Sequence, residues 1–270
     1  MKIETNNGYV RLIEGGREQS LWRKSTPDLI QHTYLRTMAL ATLTTPLYGT
    51  RTLSRALMLG LGGGILCRFF EKHFPYVKLD VAEPDTNIIR IAHEHFMLNR
   101  SVAIHAVDGR RFLKSVQHRY DIIILDAFDA IYIPHDLMGV EFLRLVKNRL
   151  TPSGIFVANT WMSKNLMRHE EATYRYVFSP LFDLRRSPNT DGNRILLFNA
   201  NGEAKNLQTT IHKRAADADT RVQYENFYQK RFSLQSAAEK LRIQTVDAPS
   251  GEILIDDINA DMLRRAAEFN

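Results

Sequence analysis

Short apolar runs, each broken by glycine or a carboxylate, set the frame of this chain. Ala56–Leu61 is apolar at nearly every position, the pattern of a strand buried on both faces in a parallel sheet. Glycines at 60, 62, 63 and 64 open a turn, and Ile65–His73 continues as helix. Lys78–Ala82, Val102–Val107 and Tyr120–Leu125 repeat the strand pattern, with helices predicted over Asp85–Phe96, Arg110–Val116 and Leu137–Leu150. Asp85 is the cap candidate of the first of these. Pro152 to Gly154 turns the chain into a strand over Ile155–Asn159, followed by a helix over Lys164–Phe178. Phe182–Leu184 and Arg194–Phe198 flank a polar turn, which predicts antiparallel pairing at one edge of the sheet.

The flanks read differently. Tyr9–Ile13 and Glu18–Trp22 enclose Gly15-Gly16, a small β-hairpin, and Pro27-Asp28 opens a helix through Tyr34, Met38 and Leu43. Beyond Gly202 the pattern predicts polar helices over Leu207–Ala218 and Tyr224–Leu241, then Ile253–Asp257 and a last helix. Parallel strands closed by a reversed hairpin make an α/β, Rossmann-like sheet of the methyltransferase type. The expected divisions are 1–50 for hairpin and helix, 51–200 for the nucleoside-binding sheet and 201–270 for a helical extension.

Composition narrows this only slightly. At 270 residues, 44% hydrophobic and 24% charged, the chain has the make-up of a globular domain. No apolar run approaches the roughly 18 residues of a membrane span, and the first residues show no apolar leader. The single cysteine, Cys67, reads as a small buried hydrophobe. These features predict a cytoplasmic protein without membrane attachment. The formal charge of +6 is spread along the chain and forms no basic tail, so no nucleic-acid partner is expected. His93 and His95 stand two apart on a helix and face apart, so no metal site is expected.

The chemistry gathers where strands end. Gly60, Gly62 and Gly64 follow the first, Glu83 the second, Asp108-Gly109 the third, and Asp126 with Asp129 the fourth. Ligands of open α/β sheets bind at the carboxyl ends of strands, so these residues are expected to converge. A strand, a glycine turn and a helix N-terminus suggest an anion- or nucleotide-binding corner whose unpaired N–H groups face the ligand. Glu83 stands where an acid grips ribose hydroxyls, and Asp108 suits an exocyclic amine; Asp108 also suits a helix cap. Carboxylates facing the cleft disfavour a pyrophosphate and favour a neutral or cationic nucleoside, hence S-adenosyl ligands over NAD. Asp126 could bind a cation, act as a base or hold a metal, the last with least support. The loop after Leu125 is long for a βα connection and also carries Tyr132, His135 and Asp136, read as hinge, cap or surface residues.

Gly60–Gly64, Val81–Asp85, Val107–Leu113 and Tyr120–Asp129 together resemble the spermidine synthases, the polyamine aminopropyltransferases. Gly16–Ser20 looks like their N-terminal Gly/Gln-Ser element, and Glu252–Asp257 resembles the Leu-Thr-Asp-Asp element of spermidine synthase-like relatives. The resemblance implies that Gln19 and Glu83 hold a ribose and Asp108 the adenine amino group. It implies that Asp126 is the base for the attacking amine, that Asp129 helps hold the substrate, and that Tyr34 matches an active-site tyrosine. Decarboxylated S-adenosylmethionine, or S-adenosylmethionine, would be a co-substrate and not a tightly bound cofactor; the partner would be a small polyamine, and the enzyme a homodimer. One departure stands out: the family's loop reads Gly-Gly-Gly-Asp-Gly, and this chain has Ile65 in place of the Asp. A methyltransferase acting on a small molecule and a non-catalytic nucleoside-binding homologue are the alternatives.

Overall fold

The structure is a computed structural model and describes residues 1–128, 133–161, 166–186, 192–222, 232–247 and 251–256. Its N-terminal part is a three-stranded antiparallel sheet of β1 (Lys2–Asn6), β2 (Tyr9–Glu14) and β3 (Arg17–Arg23). β2 and β3 are the predicted hairpin. β1 is an addition: its Lys-Ile-Glu-Thr-Asn sequence shows no apolar alternation, and it is held to β2 by ladder hydrogen bonds.

The helix α1 spans Thr33–Thr42 and begins later than the Pro27-Asp28 signal implied. The intervening backbone is used otherwise. Leu29 N–H turns back onto the Thr26 carbonyl, and the buried Arg36 guanidinium donates to the carbonyls of Ile30 (2.6 Å) and Gln31 (3.0 Å).

Then follow β4 (Ser54–Leu59), α2 (Ile65–His73), β5 (Val77–Ala82), α3 (Thr86–Glu94), β6 (Ala103–His105) and α4 (Gly109–Ser115). β7 (Tyr120–Leu125), α5 (Val140–Asn148), β8 (Leu150–Trp161), α6 (Met167–Val177), β9 (Leu181–Arg186) and β10 (Asn193–Asn199) complete the predicted series. The last described elements are α7 (Ala204–Asp219), α8 (Leu234–Glu239) and β11 (Leu241–Thr245). Of the helix expected over Tyr224–Leu241, residues 224–231 lie outside the described residues, Ser233 interrupts it as the N-cap of α8, and Leu241 opens β11 instead. Leu241-Arg-Ile-Gln-Thr alternates, and it adds antiparallel to the edge of β9 with Leu241 fully buried. The expected terminal helix lies outside the described residues.

The main sheet has eight strands in the order β11-β9-β10-β8-β7-β4-β5-β6, parallel from β8 to β6 and antiparallel beyond. This is a Rossmann-like sheet of the methyltransferase type. β4 to β6 run outward in one direction and β7 and β8 in the other, so the strand order reverses between β4 and β7. A crevice opens at such a reversal. Each central strand is apolar on both faces: Ala56 and Met58 pack into one core layer, Leu57 and Leu59 into the other. Cys67 lies in the first layer, fully buried, its thiol pushed up to about 12 by burial. Among the described residues no helix is long and apolar enough to cross a membrane.

Segment 251–256 straps one side. Leu254 N–H donates to Thr173 Oγ1 (2.8 Å), and Val140 N–H to the Leu254 carbonyl (2.9 Å). Asp256 pairs with Arg110, which also donates to the Asp136 carbonyl (3.2 Å). Asp257 is outside the described residues.

Candidate active site

Sheet register alone brings the strand-end residues together. Leu59 lies beside Ala82 on one side and Leu125 on the other, and Leu125 beside Ala158. The residues one step further along, Glu83, Gly60, Asp126 and Asn159, therefore form a row across the crevice. Backbone bonds hold the row: Gly60 N–H donates to the Ala82 carbonyl, and Asp126 N–H to the Leu59 carbonyl, each at 2.9 Å.

A cavity of about 380 Å³ lies over this row. Gln19, Tyr34, Gly60, Gly62, Glu83, Asp108, Gly109 and Asp126 all line it. Two of the predicted residues remain. Asp129 is outside the described residues. Gly64 turns away from the cavity: it is the left-handed N-cap of α2 (φ 70°), and a Cβ there would meet the Leu98 side chain at 2.8 Å. Its glycine serves the turn and the packing beneath it.

The expectation that unpaired N–H groups of the glycine turn face the ligand is corrected at four positions. Four glycine-turn amides are occupied from within the chain. Gly60 N–H takes Ala82, Leu61 N–H takes Glu83 Oε2 (3.1 Å), Gly63 N–H takes Ser20 Oγ (2.8 Å), and Gly64 N–H takes the Leu61 carbonyl (2.9 Å). The turn is thus tied to β3 and β5.

Every charged side chain lining the cavity among the described residues is acidic: Glu14, Glu83, Asp85, Asp108, Asp126 and Asp136. Such a lining repels phosphate and attracts cations. Glu83 is buried; its Oε1 accepts from Asp85 N–H (2.9 Å), and burial raises its carboxyl above the usual range. Asp108 is the helix cap that its position in sequence allowed. Its Oδ1 accepts from Arg111 N–H (2.9 Å) as the N-cap of α4, while the residue still borders the cavity. Asp85 is likewise a cap, accepting from Asn87 N–H at 2.7 Å.

Asp126 is the outlier. Burial pushes its carboxyl up to about 6; an Asn159 amide donating at 2.8 Å and the charge of His32 pull in the opposite direction. Since the native carboxyl keeps a proton that the unfolded chain has already released between about pH 4 and 6, stability should fall as pH rises through that window. Glu83 acts in the same sense. Urea unfolding at pH 4.5 and 7 should therefore show a smaller pH dependence for Asp126→Asn than for the unmodified chain.

Sequence reading missed several participants. Ser20 holds Gly63, and Glu14 lines the cavity. His32 bonds Glu18 Oε1 (2.9 Å) and stacks on Tyr34 with ring centroids 5.5 Å apart. Asn159 is buried at 1% exposure, and a polar residue closing an otherwise apolar strand was the available signal for it. Ile65 and Leu66 give the cavity an apolar wall.

A methyltransferase-type sheet with an acid-lined cavity at its reversal point defines an α/β protein whose candidate site lies where open sheets of this kind bind ligands. Residues 30–185 match the spermine/spermidine synthase domain, and the chain belongs to that family. A polyamine aminopropyltransferase of Vibrio vulnificus is 38% identical over 148 residues, covering 53% of this chain and 49% of the relative. The matched part is thus about half the length of that relative. The crystal structure of a probable spermidine synthase from Corynebacterium glutamicum superposes with a TM-score of 0.74 at 19% identity, covering 94% of this chain and 92% of that one; at that identity the likeness is one of fold. Human methyltransferase-like protein 13 in complex with SAH matches at TM-score 0.62 and 25% identity, covering 74% and 97%.

Proposed function

We propose that this chain is an aminopropyltransferase-like enzyme that moves an aminopropyl group from decarboxylated S-adenosylmethionine to an amine such as putrescine and releases methylthioadenosine. The observation that carries this reading is Asp126, a carboxylate with a raised pKa in the crevice row next to Gly60 and Glu83. In this reading Glu83 and Gln19 hold the ribose, Asp108 faces the adenine amino group, and Gly60, Gly62 and Gly109 border the nucleoside. Tyr34, and Asp129 by the resemblance, flank the amine. The enzyme would work as a cytoplasmic homodimer.

The amine nitrogen attacks the carbon bonded to the sulfonium, that C–S bond breaks, and its electron pair leaves with sulfur as a neutral thioether. Before the attack the ammonium must lose a proton, which Asp126 accepts. An amine has a pKa of about 10, so a base at about 6 narrows the gap by roughly two units relative to an ordinary aspartate, worth about 3 kcal/mol.

The second reading is a methyltransferase. It is favoured by Ile65 and Leu66, which offer a donor's ammonium no carboxylate, and by the likeness to the human methyltransferase-like protein. Incubation with putrescine and each labelled donor separates the two. Aminopropyl transfer is the expected result; methyl transfer would replace it, and saturable nucleoside binding without turnover would leave a non-catalytic homologue.

A further inference from the structure

We propose that Asn159 and Asn193 are positioning residues: a two-amide relay on β8 and β10 that fixes which face of Asn159 meets Asp126, and so holds that carboxyl as a proton acceptor. The proposal deepens the base assignment above and rests on that reading for its catalytic meaning. Register makes the relay. Asn159 follows the β8 residue paired with Leu125, which puts it beside Asp126, and it pairs with Ile195 across β10, which puts Asn193 on its diagonal.

Asn159 Nδ2 donates to Asp126 Oδ1 at 2.8 Å, and Asn159 Oδ1 accepts from Asn193 Nδ2 at 3.0 Å. A side-chain amide can flip, presenting either a donor or an acceptor. With Asn193 Nδ2 occupying its oxygen, only the NH2 group is left for Asp126. A donor stabilises the charged carboxylate, whereas an oxygen in its place would stabilise the protonated acid. Burial already drives Asp126 toward protonation, so the amide is what offsets that pressure most directly.

The test is a 13C NMR titration of the Asp126 carboxyl, assigned by its loss in Asp126→Asn. Asn159→Leu should raise its midpoint by about one unit or more. Asn193→Leu leaves Asn159 in place but free to flip, and should raise it by less. Among the described residues, the other titratable groups around the site are Glu14 on β2, Glu83 and Asp85 after β5, Asp108 before α4, Asp136 after β7, Tyr34 on α1, and His32 with Glu18 from β3. They are common to all variants, so a difference belongs to the relay. In aminopropyl transfer, the acid limb of kcat/KM should move upward in step with the midpoint, and Asn159→Gln, which keeps an amide, should restore part of it.

An unchanged midpoint in a folded Asn159→Leu protein would overturn the relay. So would equal midpoints for Asn193→Leu and the unmodified chain. If Asn159→Leu does not fold, Asn193→Leu alone decides. The titration needs no turnover, so absence of aminopropyl transfer would defeat the functional reading while leaving this result interpretable.

Discussion

Asp126→Asn is expected to lower aminopropyl transfer by about a thousandfold, within the usual range for loss of a general base, while methylthioadenosine binds with nearly unchanged affinity. The asymmetry follows from position. Asn keeps the shape and can still hydrogen-bond Asn159, but it cannot take a proton from an amine. The nucleoside's proposed contacts, Glu83, Gln19 and Asp108, lie just after β5, on β3 and just before α4, and are untouched. Calorimetry of methylthioadenosine binding beside a transfer assay checks both halves. A large loss of nucleoside affinity would mean that Asp126 supports the fold of the cavity, and unimpaired transfer would remove it as the base.

Gly60→Ala should be among the most damaging single substitutions in the chain. Gly60 has φ 96°, and a Cβ there would stand 2.3 Å from the Asp126 carbonyl oxygen and 2.8 Å from its carbonyl carbon. Both are backbone atoms of the residue that directly follows β7, tied by its N–H to the Leu59 carbonyl, so neither can swing aside. The positive φ alone costs an L-residue about 1–2 kcal/mol, and displacement of β7 adds to it. A total of about 3 kcal/mol corresponds to a fall in Tm of roughly 10 °C for a domain of this size. Gly8→Ala is the control, because Gly8 has a similar φ of 78° and nothing within 4 Å of the added Cβ. Thermal unfolding should show a small loss for Gly8→Ala and a large one for Gly60→Ala. Equal losses would show that strand contact at Gly60 contributes nothing.

The centre of the fold was legible because doubly buried parallel strands have to be continuous apolar runs. The helix Ile65–His73 and the strand Tyr120–Leu125 occur with the bounds their patterns implied. The convergence of Glu83, Asp108 and Asp126 was legible for the same reason, since parallel strands present their carboxyl ends at one edge. Elements held by edge pairing were not. β1 and β11 are short, carry few apolar residues, and owe their state to a neighbour's free ladder. The early start expected for α1 failed because buried Arg36 takes the carbonyls that would have begun the helix. In the site, sequence named the carboxylates at the strand ends and missed Glu14 and the residues that hold the site together. Ser20, His32 and Asn159 act through partners distant in sequence, and only the register of β7 with β8 puts Asn159 against Asp126.

Every role proposed for these residues requires one guest occupying one crevice in one orientation. A crystal structure of the chain with methylthioadenosine tests that most directly. It should show the ribose hydroxyls on Glu83, the adenine amino group toward Asp108, and the 5′ carbon facing Asp126. A nucleoside bound outside the crevice, or bound there with its 5′ end turned away from Asp126, would contradict it.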